Sequence, residues 1–491
     1  MAESPATPAA PLEGYEPVIG LEVHVQLSTA SKIFCGCSTV FGAPPNTQVC
    51  PICLGYPGAL PALNEAAVEL AVRAASALDC EVHERSIFAR KHYFYPDLPK
   101  GYQISQYDRP LATGGALEIQ LDDGGSKPIG ITRVHLEEDA GKSTHGAGGT
   151  LVDFNRCGMP LIEIVSEPDL ASPREAYLYL SALKQTLEYL AVSDCNMEEG
   201  SLRCDANVSI RPRGEPTLST KTEVKNVNSF RYVEAALEFE IERQARIVAA
   251  GERVVHETLL WDSVRGEARP MRSKEMSHDY RYFPEPDLEP LDVVSERREE
   301  IRAGLPELPA ARAARFVEAY GLPPYDASVL TATRALADWY EAAVAAYDDP
   351  KEVSNWAMGE VLRLAHERGE AVGLEPEPRP VAPERLAELL ALKAAGRISG
   401  SVAKEVLAAM AETGRDAAAI VAERGLEQVS DADALTAEVD AVIAAHPDEV
   451  AAFRGGKHGL IGFFVGQVMK QTGGQANPQL VNQILREKLA G

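Results

Sequence analysis

Four cysteines near the N-terminus constrain this chain more than any other feature of its sequence. They form two close pairs, Cys35-Gly-Cys37 and Cys50-Pro-Ile-Cys53, whereas the other four cysteines are scattered. Two close pairs joined by a short loop supply the four thiolates that a tetrahedral zinc ion needs. The loop from 38 to 49 contains turn-forming glycine, proline and asparagine and no core of its own. A metal ion would therefore have to hold this segment together.

Two disulfides, or free thiols packed in a core, are the alternative interpretations of these cysteines. Nothing at the start of the sequence resembles a signal peptide, and cytosolic thiols stay reduced, which favours zinc. A single residue separates the first pair, and this spacing weakens the signal slightly. Because four thiolates close the coordination sphere, we expect a structural zinc site and a catalytic centre elsewhere in the chain.

Length and charge limit the class of protein. The chain has 491 residues, too many for one hydrophobic core, so two to four domains are expected. Its net charge of −25 argues against sequence-independent binding to nucleic acid, although a local basic patch could still bind it. No apolar run approaches the ~20 residues of a membrane-spanning helix. We therefore expect a cytoplasmic protein with no membrane partner.

Changes in composition divide the chain into four segments. Residues 1–14 are rich in alanine and proline and are expected to be disordered. Residues 15–294 contain short alternating runs and all eight cysteines. Residues 295–403 and 404–491 have helical spacing, and the second of these segments ends in a predicted helix from 478 to 489. The order predicts an α+β domain followed by two all-α domains.

Alternation of polar and apolar residues predicts strands in the segment 15–294. The alternating runs are 18–27, 131–139, 161–165, 202–210 and 221–226. Successive side chains of a strand point to opposite faces, so each run would have one apolar and one polar face. The simplest interpretation is an antiparallel sheet with one solvated face.

The polar faces of these strands carry unusual residue types. Solvated strands favour threonine, lysine and serine, whereas these faces carry Glu22, His24, Glu137, Glu163 and Asp205. Carboxylates on one face repel each other unless a cation lies among them, and Mg²⁺ prefers oxygen ligands. From the pattern alone, a site for a divalent metal and phosphate and a merely exposed sheet face both stay open.

The loop from 91 to 103 interleaves aromatic, basic and proline residues, and the stretches 271–275 and 278–287 are similar. Such a loop can stack on a nucleotide or an RNA end, or its aromatic residues can simply pack against each other. The sequence has neither a P-loop nor a Gly-x-Ser-x-Gly motif, so neither of these catalytic motifs accounts for an activity.

Four longer motifs resemble the B subunit, GatB, of the aspartyl/glutamyl-tRNA amidotransferase family. They are the segments 20–27, 93–107, 133–142 and 151–165, and the similarity extends over nearly the whole chain from residue 15. The resemblance implies an α+β cradle domain with an antiparallel sheet, similar to the glutamine-synthetase fold. It also implies an all-α helical domain and an all-α tail of the YqeY type, which we expect to bind tRNA.

The resemblance also implies a reaction. In this family an amidase subunit releases ammonia from glutamine, and a third, small subunit takes part in the complex. The B subunit uses ATP and Mg²⁺ to phosphorylate the side-chain carboxylate of Glu on tRNA(Gln) or of Asp on tRNA(Asn). Ammonia that arrives through an internal channel then displaces phosphate. Phosphorylation is needed because a carboxylate repels nucleophiles and oxide is a poor leaving group, and Mg²⁺ offsets the charge on the phosphoryl group.

Roles for individual residues follow from the same resemblance. The residues expected to bind magnesium are Glu22, His24, Glu137 and Glu163. The residues expected to act as catalytic carboxylates are Glu137, Glu163 and Asp205. The cations expected to bind ATP are Lys91, Arg203 and Lys225. The zinc ligands are Cys35, Cys37, Cys50 and Cys53, and no role is assigned to Lys142 or His145.

Two other functional classes stay open beside this one. A non-catalytic RNA-binding protein is disfavoured by the carboxylates, because RNA binding alone would favour cations on that face. A stand-alone ligase for a free amino acid is disfavoured by the long helical segment 295–491, which a small substrate does not need. The stretch 451–486 contains cations but no acidic residue. For this reason the segment 404–491 is expected to hold the tRNA body, or alternatively only to form a helical cap.

Overall fold

A computed structural model of the chain describes residues 14–146, 148–271, 280–368, 381–428, 432–472 and 476–490. The chain forms two compact units, one ending at Leu308 and the other beginning at Pro309. The predicted disordered N-terminus lies outside the described residues, except for Gly14. None of the described helices is long and apolar enough to cross a membrane.

The first unit combines sheets and helices. Its strands are β1 (Tyr15–Gln26), β2 (Glu81–Val82), β3 (Arg85–Ser86), β4 (Phe88–His92), β5 (Tyr102–Gln106), β6 (Ala112–Thr113), β7 (Ala116–Gln120), β8 (Ser126–Glu138), β9 (Lys142–Gly146), β10 (Gly149–Asp153), β11 (Pro160–Ser166), β12 (Leu202–Pro212), β13 (Thr222–Val227), β14 (Thr258–Asp262), β15 (Glu267–Pro270), β16 (Arg281–Pro284) and β17 (Leu291–Asp292). Its helices are α1 (Glu65–Ala77), α2 (Pro173–Tyr189), α3 (Phe230–Ala249) and α4 (Ser295–Ala303).

A ten-stranded sheet forms the centre of this unit. Its strand order is β15-β14-β13-β12-β1-β11-β8-β6-β2, and β7 also pairs with β8. The pair β13–β14 is parallel, so the sheet is mixed, and the prediction of an antiparallel sheet is wrong at this pair. The reason is that α3 connects these two strands as a crossover, and a crossover returns the chain in the same direction.

The two faces of the large sheet differ as the alternation predicts. Apolar residues such as Val23 and Ile164 lie on one face, in one core with side chains of α1, α2 and α3. Ser172 and Ser229 cap the N-termini of α2 and α3, because each hydroxyl accepts a hydrogen bond from a backbone N–H of the first turn. The opposite face is polar and carries the candidate site.

A small three-stranded sheet, in the order β16-β4-β5, contacts β8 through β5. Its contact with the polar face is direct, because Ser105 Oγ on β5 donates a hydrogen bond to Glu137 Oε2 on β8 at 3.3 Å. The strands β9 and β10 form a separate hairpin, and β3 pairs with β17.

The second unit is all-helical over its described residues. Its α-helices are α5 (Pro309–Tyr320), α6 (Pro324–Leu330), α7 (Arg334–Ala346), α8 (Pro350–Trp356), α9 (Leu362–Glu367), α10 (Pro383–Ala394), α11 (Gly400–Thr413), α12 (Ala417–Arg424), α13 (Ala432–Ala445), α14 (Pro447–Arg454), α15 (Ile461–Gln471) and α16 (Pro478–Ala490). A π-helical turn (Ala357–Val361) and a 3₁₀ turn (His458–Leu460) lie between them. The predicted helix 478–489 is confirmed as α16.

The units and cores divide at positions other than those expected. The predicted boundary after 294 precedes α4, but α4 lies in the first unit, where Arg302 Nη2 pairs with Asp79 Oδ1 at 2.7 Å. The predicted boundary after 403 falls inside α11. The second unit instead has one hydrophobic core of residues from Phe316 to Val421 and another of residues from Leu435 to Leu489.

Candidate active site

Three neighbouring strands bring a histidine and two glutamates together on the polar face of the large sheet. His24 on β1 lies opposite Glu163 on β11, and Glu137 extends from β8. His24 Nδ1 lies 3.1 Å from Glu137 Oε1 and 3.9 Å from Glu163 Oε2. One ligand atom from each residue lies within 4.8 Å of the others. We call these three residues the carboxylate cluster, and one cation could bind all of them.

His135 is a fourth member of the site, and sequence reasoning did not assign it a role. Its Nε2 lies 3.3 Å from Glu163 Oε2 and 3.7 Å from Glu137 Oε2. Burial alone would lower its pKa, but hydrogen bonds to Glu137 and Glu163 outweigh burial and raise the pKa to about 9. The available signal was its place on the polar face of β8, two residues before Glu137.

Both glutamates are held in their ionised form. Burial would raise the pKa of Glu137, but hydrogen bonds from His135 and His24 hold it well below its usual value. Burial acts in the same direction on Glu163, whose pKa is lowered by its hydrogen bond and charge interaction with His135. Two ionised carboxylates with an imidazole are a suitable donor set for Mg²⁺ or Mn²⁺.

Glu22 and Asp205 share the polar face but lie outside the carboxylate cluster. Glu22 lies opposite Asp205 and Val165, one row away from His24. Its Oε1 accepts a hydrogen bond from Asn207 Nδ2 at 3.0 Å. Asp205 Oδ2 accepts a hydrogen bond from Lys225 Nζ at 2.7 Å. Of the four predicted magnesium ligands, the structure therefore brings three together.

A cavity of about 640 Å³ opens beside the β12 side of the cluster. Arg203 lines it and lies opposite His24 on β12. Its Nη2 donates a hydrogen bond to Asp139 Oδ2 at 2.7 Å, and Arg156 Nε lies 3.5 Å from the same oxygen. The volume is within the range of small-molecule sites.

The other residues that line the cavity come from separate parts of the first unit. They include residues 39–43, 48, 142, 153, 194, 197–202 and 226–228. Asn226 has a φ of 64°, and the register of β12 against β13 shifts beside Asp205. Irregular strand geometry of this kind often lies next to functional sites. His145 is exposed on β9 and lies 2.9 Å from Thr150 Oγ1, outside this lining.

Lys91 lies on the other side of the cluster, on the small sheet. Its Nζ lies 4.7 Å from the centre of the Tyr280 ring. Burial lowers its pKa, but the charges of Glu137 and Glu163 contribute to a net rise. Lys91 is not part of the cavity lining, so the structure separates it from Arg203.

The four predicted zinc ligands also lie together. The Sγ atoms of Cys35, Cys37, Cys50 and Cys53 are all within 4.8 Å of one another. All eight cysteines of the chain are free thiols in the structure. Four converging sulfur atoms fit a tetrahedral zinc ion, and a four-thiolate site is structural.

Lys32 lies directly behind these cysteines and is fully buried. Its Nζ donates hydrogen bonds to the Gln48 and Phe154 carbonyl oxygens, at 2.8 and 3.5 Å. The same Nζ lies 3.7 Å from Cys53 Sγ. It therefore connects the cysteine segment with the turn that precedes β11.

Comparison with known proteins gives consistent matches along the chain. Residues 17–299 match a family model described as the GatB/GatE catalytic domain, and residues 338–489 match one described as the GatB domain. The chain is 58% identical to the B subunit of the aspartyl/glutamyl-tRNA(Asn/Gln) amidotransferase of Moorella thermoacetica, over 97% of this chain and 100% of that protein. The protein of the same name from Carboxydothermus hydrogenoformans is 56% identical, over 97% of this chain and 99% of that protein. The protein of the same name from Anaeromyxobacter sp. is 54% identical, over 98% of this chain and 99% of that protein.

Proposed function

This chain belongs to the family of B subunits of the aspartyl/glutamyl-tRNA(Asn/Gln) amidotransferases, and on that premise we propose how it acts. It works in a complex with other subunits and amidates Glu on tRNA(Gln), Asp on tRNA(Asn), or both. The partners in this complex are an amidase subunit, which releases ammonia from glutamine, and a third, small subunit. Its place is the cytoplasm, where aminoacyl-tRNA is used.

The carboxylate cluster is the observation that carries the chemistry of this proposal. The substrate carboxylate must attack the γ-phosphorus of ATP, which gives an acyl phosphate and ADP. Two negatively charged groups therefore have to meet at the site. When bound at His24, Glu137 and Glu163, a divalent cation supplies the positive charge that offsets this repulsion. His135 holds both glutamates ionised and in place for that cation.

Arg203 and the cavity beside it support a binding site for ATP. Asp139 fixes the Arg203 guanidinium through Nη2. Arg203 Nε is buried and has no hydrogen-bond partner among the described residues, so it can donate to a phosphate oxygen. Asp205 holds Lys225 at the same side of the sheet.

After phosphoryl transfer, ammonia attacks the acyl phosphate, forms the amide and releases phosphate.

Three finer features complete the proposal. The cysteine segment 35–53 binds one structural zinc ion, supported by the four converging sulfur atoms. The large sheet is similar to the glutamine-synthetase fold, in which carboxylates on a sheet face bind metal for the same carboxylate phosphorylation. The last helices form a YqeY-type tail that contacts tRNA.

Assay of the purified complex of all three proteins tests this function. We expect ATP- and glutamine-dependent conversion of Glu-tRNA(Gln), Asp-tRNA(Asn) or both, with ATP hydrolysis stimulated by the misacylated tRNA. Correctly charged Gln-tRNA(Gln) is the matched control and should not stimulate hydrolysis. Amidation of free glutamate would indicate a stand-alone ligase. Binding of tRNA without any ATP turnover would indicate an RNA-binding protein.

A further inference from the structure

Tyrosines and one lysine of the small sheet face the carboxylate cluster, and the function proposed so far makes no use of the tyrosine rings. Tyr282 on β16 lies opposite Lys91 on β4, which lies opposite Gln103 on β5. Side chains at alternate positions of a strand share a face, so Ser105 is on this face as well. Since Ser105 donates a hydrogen bond to Glu137, this face of the small sheet is turned towards the cluster.

Two of the aromatic rings on this face stack on each other, and two of the three tyrosines are exposed to solvent. The rings of Tyr107 and Tyr282 are parallel within 10°, with centroids 4.1 Å apart. Tyr107 is 51% exposed and Tyr280 is 48% exposed. Exposed aromatic groups this close to a catalytic centre indicate a binding surface rather than a core. We call Tyr107, Tyr280, Tyr282, Lys91 and Arg133 the tyrosine surface.

The two cations of the tyrosine surface have no carboxylate partner in an ion pair among the described residues. Arg133 lies on β8, and its buried Nε lacks a hydrogen-bond partner within the described part of the chain. Burial raises the pKa of Tyr282, and the charges of Lys91 and Arg133 oppose that rise, so both cations lie near this ring. Unpaired cations beside exposed rings match the charge of a phosphodiester chain.

We propose that the tyrosine surface binds the single-stranded 3′ end of the tRNA substrate, and this inference rests on the function proposed above. The last nucleobases stack on Tyr107, Tyr280 and Tyr282, while Lys91 and Arg133 contact the phosphates. Stacking on aromatic side chains is the usual way in which proteins bind unpaired bases. The aminoacyl group is esterified to the terminal ribose. Its carboxylate can reach the carboxylate cluster only if the terminal nucleotides lie beside that cluster.

The position of the surface favours the RNA end over the adenine of ATP. In the strand order β12-β1-β11-β8, the cavity lined by Arg203 lies on the β12 side of the cluster. The small sheet contacts β8, on the opposite side. A phosphoryl donor from one side and an acceptor carboxylate from the other would then meet at the cluster. One adenine needs a single stacking partner, whereas three tyrosines suit successive bases.

A fluorescent base at the 3′ end of the tRNA tests the stacking directly. The intact complex is titrated with tRNA that carries 2-aminopurine at the terminal position, whose fluorescence is quenched by stacking. We expect strong quenching with wild type and with Tyr107→Phe and Tyr282→Phe, which keep the rings. Tyr107→Leu and Tyr282→Leu should remove most of the quenching and raise the KM for misacylated tRNA about tenfold. The KM for ATP should stay unchanged, and so should the rate of glutamine hydrolysis.

Tyr325→Leu is the matched control, because Tyr325 is 72% exposed but lies in the second unit. If the leucine variants at 107 and 282 behave like this control, the inference is wrong. It is also wrong if they raise the KM for ATP instead, because the rings would then hold adenine. If the wild-type complex quenches the probe but does not amidate any tRNA, the proposed function is wrong. Base stacking on the tyrosine surface would still be supported.

Discussion

At the scale of single residues, the balance of charge in the carboxylate cluster decides what the site can bind. Two buried carboxylates this close would normally share a proton, because their charges repel. Here His24 and His135 donate hydrogen bonds to them and hold both pKa values below the usual range. The site is therefore already arranged as an ionised ligand set for a divalent cation. Loss of one charged ligand should strongly weaken metal binding.

Glu137→Gln tests this ligand set, because the change removes the charge and keeps the shape. We expect amidation of misacylated tRNA, and the ATP hydrolysis that accompanies it, to fall about a hundredfold or more, since charge neutralisation by a bound metal is worth several kcal/mol. The proposed function assigns glutamine hydrolysis to another subunit, so this hydrolysis should survive at least in part. Glu118→Gln is the control, because Glu118 is exposed on β7 and lies outside the predicted metal ligands. Near wild-type amidation by Glu137→Gln at limiting Mg²⁺ would refute the assignment.

Lys32 presents a second question of charge at the residue scale. Its described polar contacts are two carbonyl oxygens and one sulfur, with no carboxylate. A fully buried ammonium group needs negative charge nearby. Four thiolates around one Zn²⁺ carry a net charge of −2 and would supply it. The buried lysine is thus an argument, independent of the cysteine spacing, that these thiols are metal-bound.

Lys32→Met keeps the length of this side chain and removes its charge. We expect faster loss of zinc to a chromogenic chelator, because the negative charge of the thiolates is no longer offset. We also expect a stability loss of about 1–3 kcal/mol from the unsatisfied carbonyl groups, measured by thermal unfolding. Lys184→Met is the control, because Lys184 on α2 is half-buried and also donates a hydrogen bond to a carbonyl oxygen, but lies outside the cysteine segment. A Lys32→Met protein that keeps its zinc as long as this control would show that the charge has no such role.

At the scale of elements, alternation in the sequence identified the strands that carry the site but not all of their partners. The run 202–210 became β12, and the run 18–27 became β1 with the expected polar face. Alternation assigns side chains to faces, but it contains no information on which strands are neighbours. The parallel pair β13–β14 and the small sheet were therefore missed.

The same limit explains the two differences at the cluster. His135 belongs to the site because β8 lies next to β11, and the register of these strands puts His135 opposite Glu163. Glu22 stays outside because its cross-strand neighbours are Val165 and Asp205. Both outcomes depend on strand order and register, and these follow from contacts between distant parts of the chain.

The segment 35–53 is an element that the metal is expected to stabilise. Cys50→Ser leaves three thiolates, so we expect the zinc content to fall from one ion per chain towards none, measured by elemental analysis. Unfolding should occur at lower temperature, and a protease should cleave the segment faster, because no core holds it without the ion. Cys80→Ser is the control, because Cys80 is buried but is not one of the four predicted zinc ligands. It should lose stability without losing zinc, and a folded wild-type protein with no zinc would contradict the site altogether.

At the scale of the whole molecule, charge is distributed very unevenly. The chain carries 73 acidic residues against 48 lysines and arginines, yet none of the acidic residues lies between 451 and 486. Lys457, Lys470 and Arg486 are exposed in this stretch. None of the three forms an ion pair with a carboxylate of any described residue. An acidic protein that binds a polyanion needs such a local patch, because the remaining surface repels the ligand.

Replacing Lys457, Lys470 and Arg486 with alanine tests whether this patch contacts the tRNA body. Each lost phosphate contact should reduce the slope of log affinity against log salt by about 0.9, so the triple variant should lose about two to three units of slope. Its KM for tRNA should rise at low salt, while tRNA-independent glutamine hydrolysis stays intact. The control replaces Arg334, Lys351 and Arg363, which are exposed, are paired with carboxylates and lie outside the segment 404–491. Salt titrations with the same slope for both variants would mean that the last helices only cap the domain.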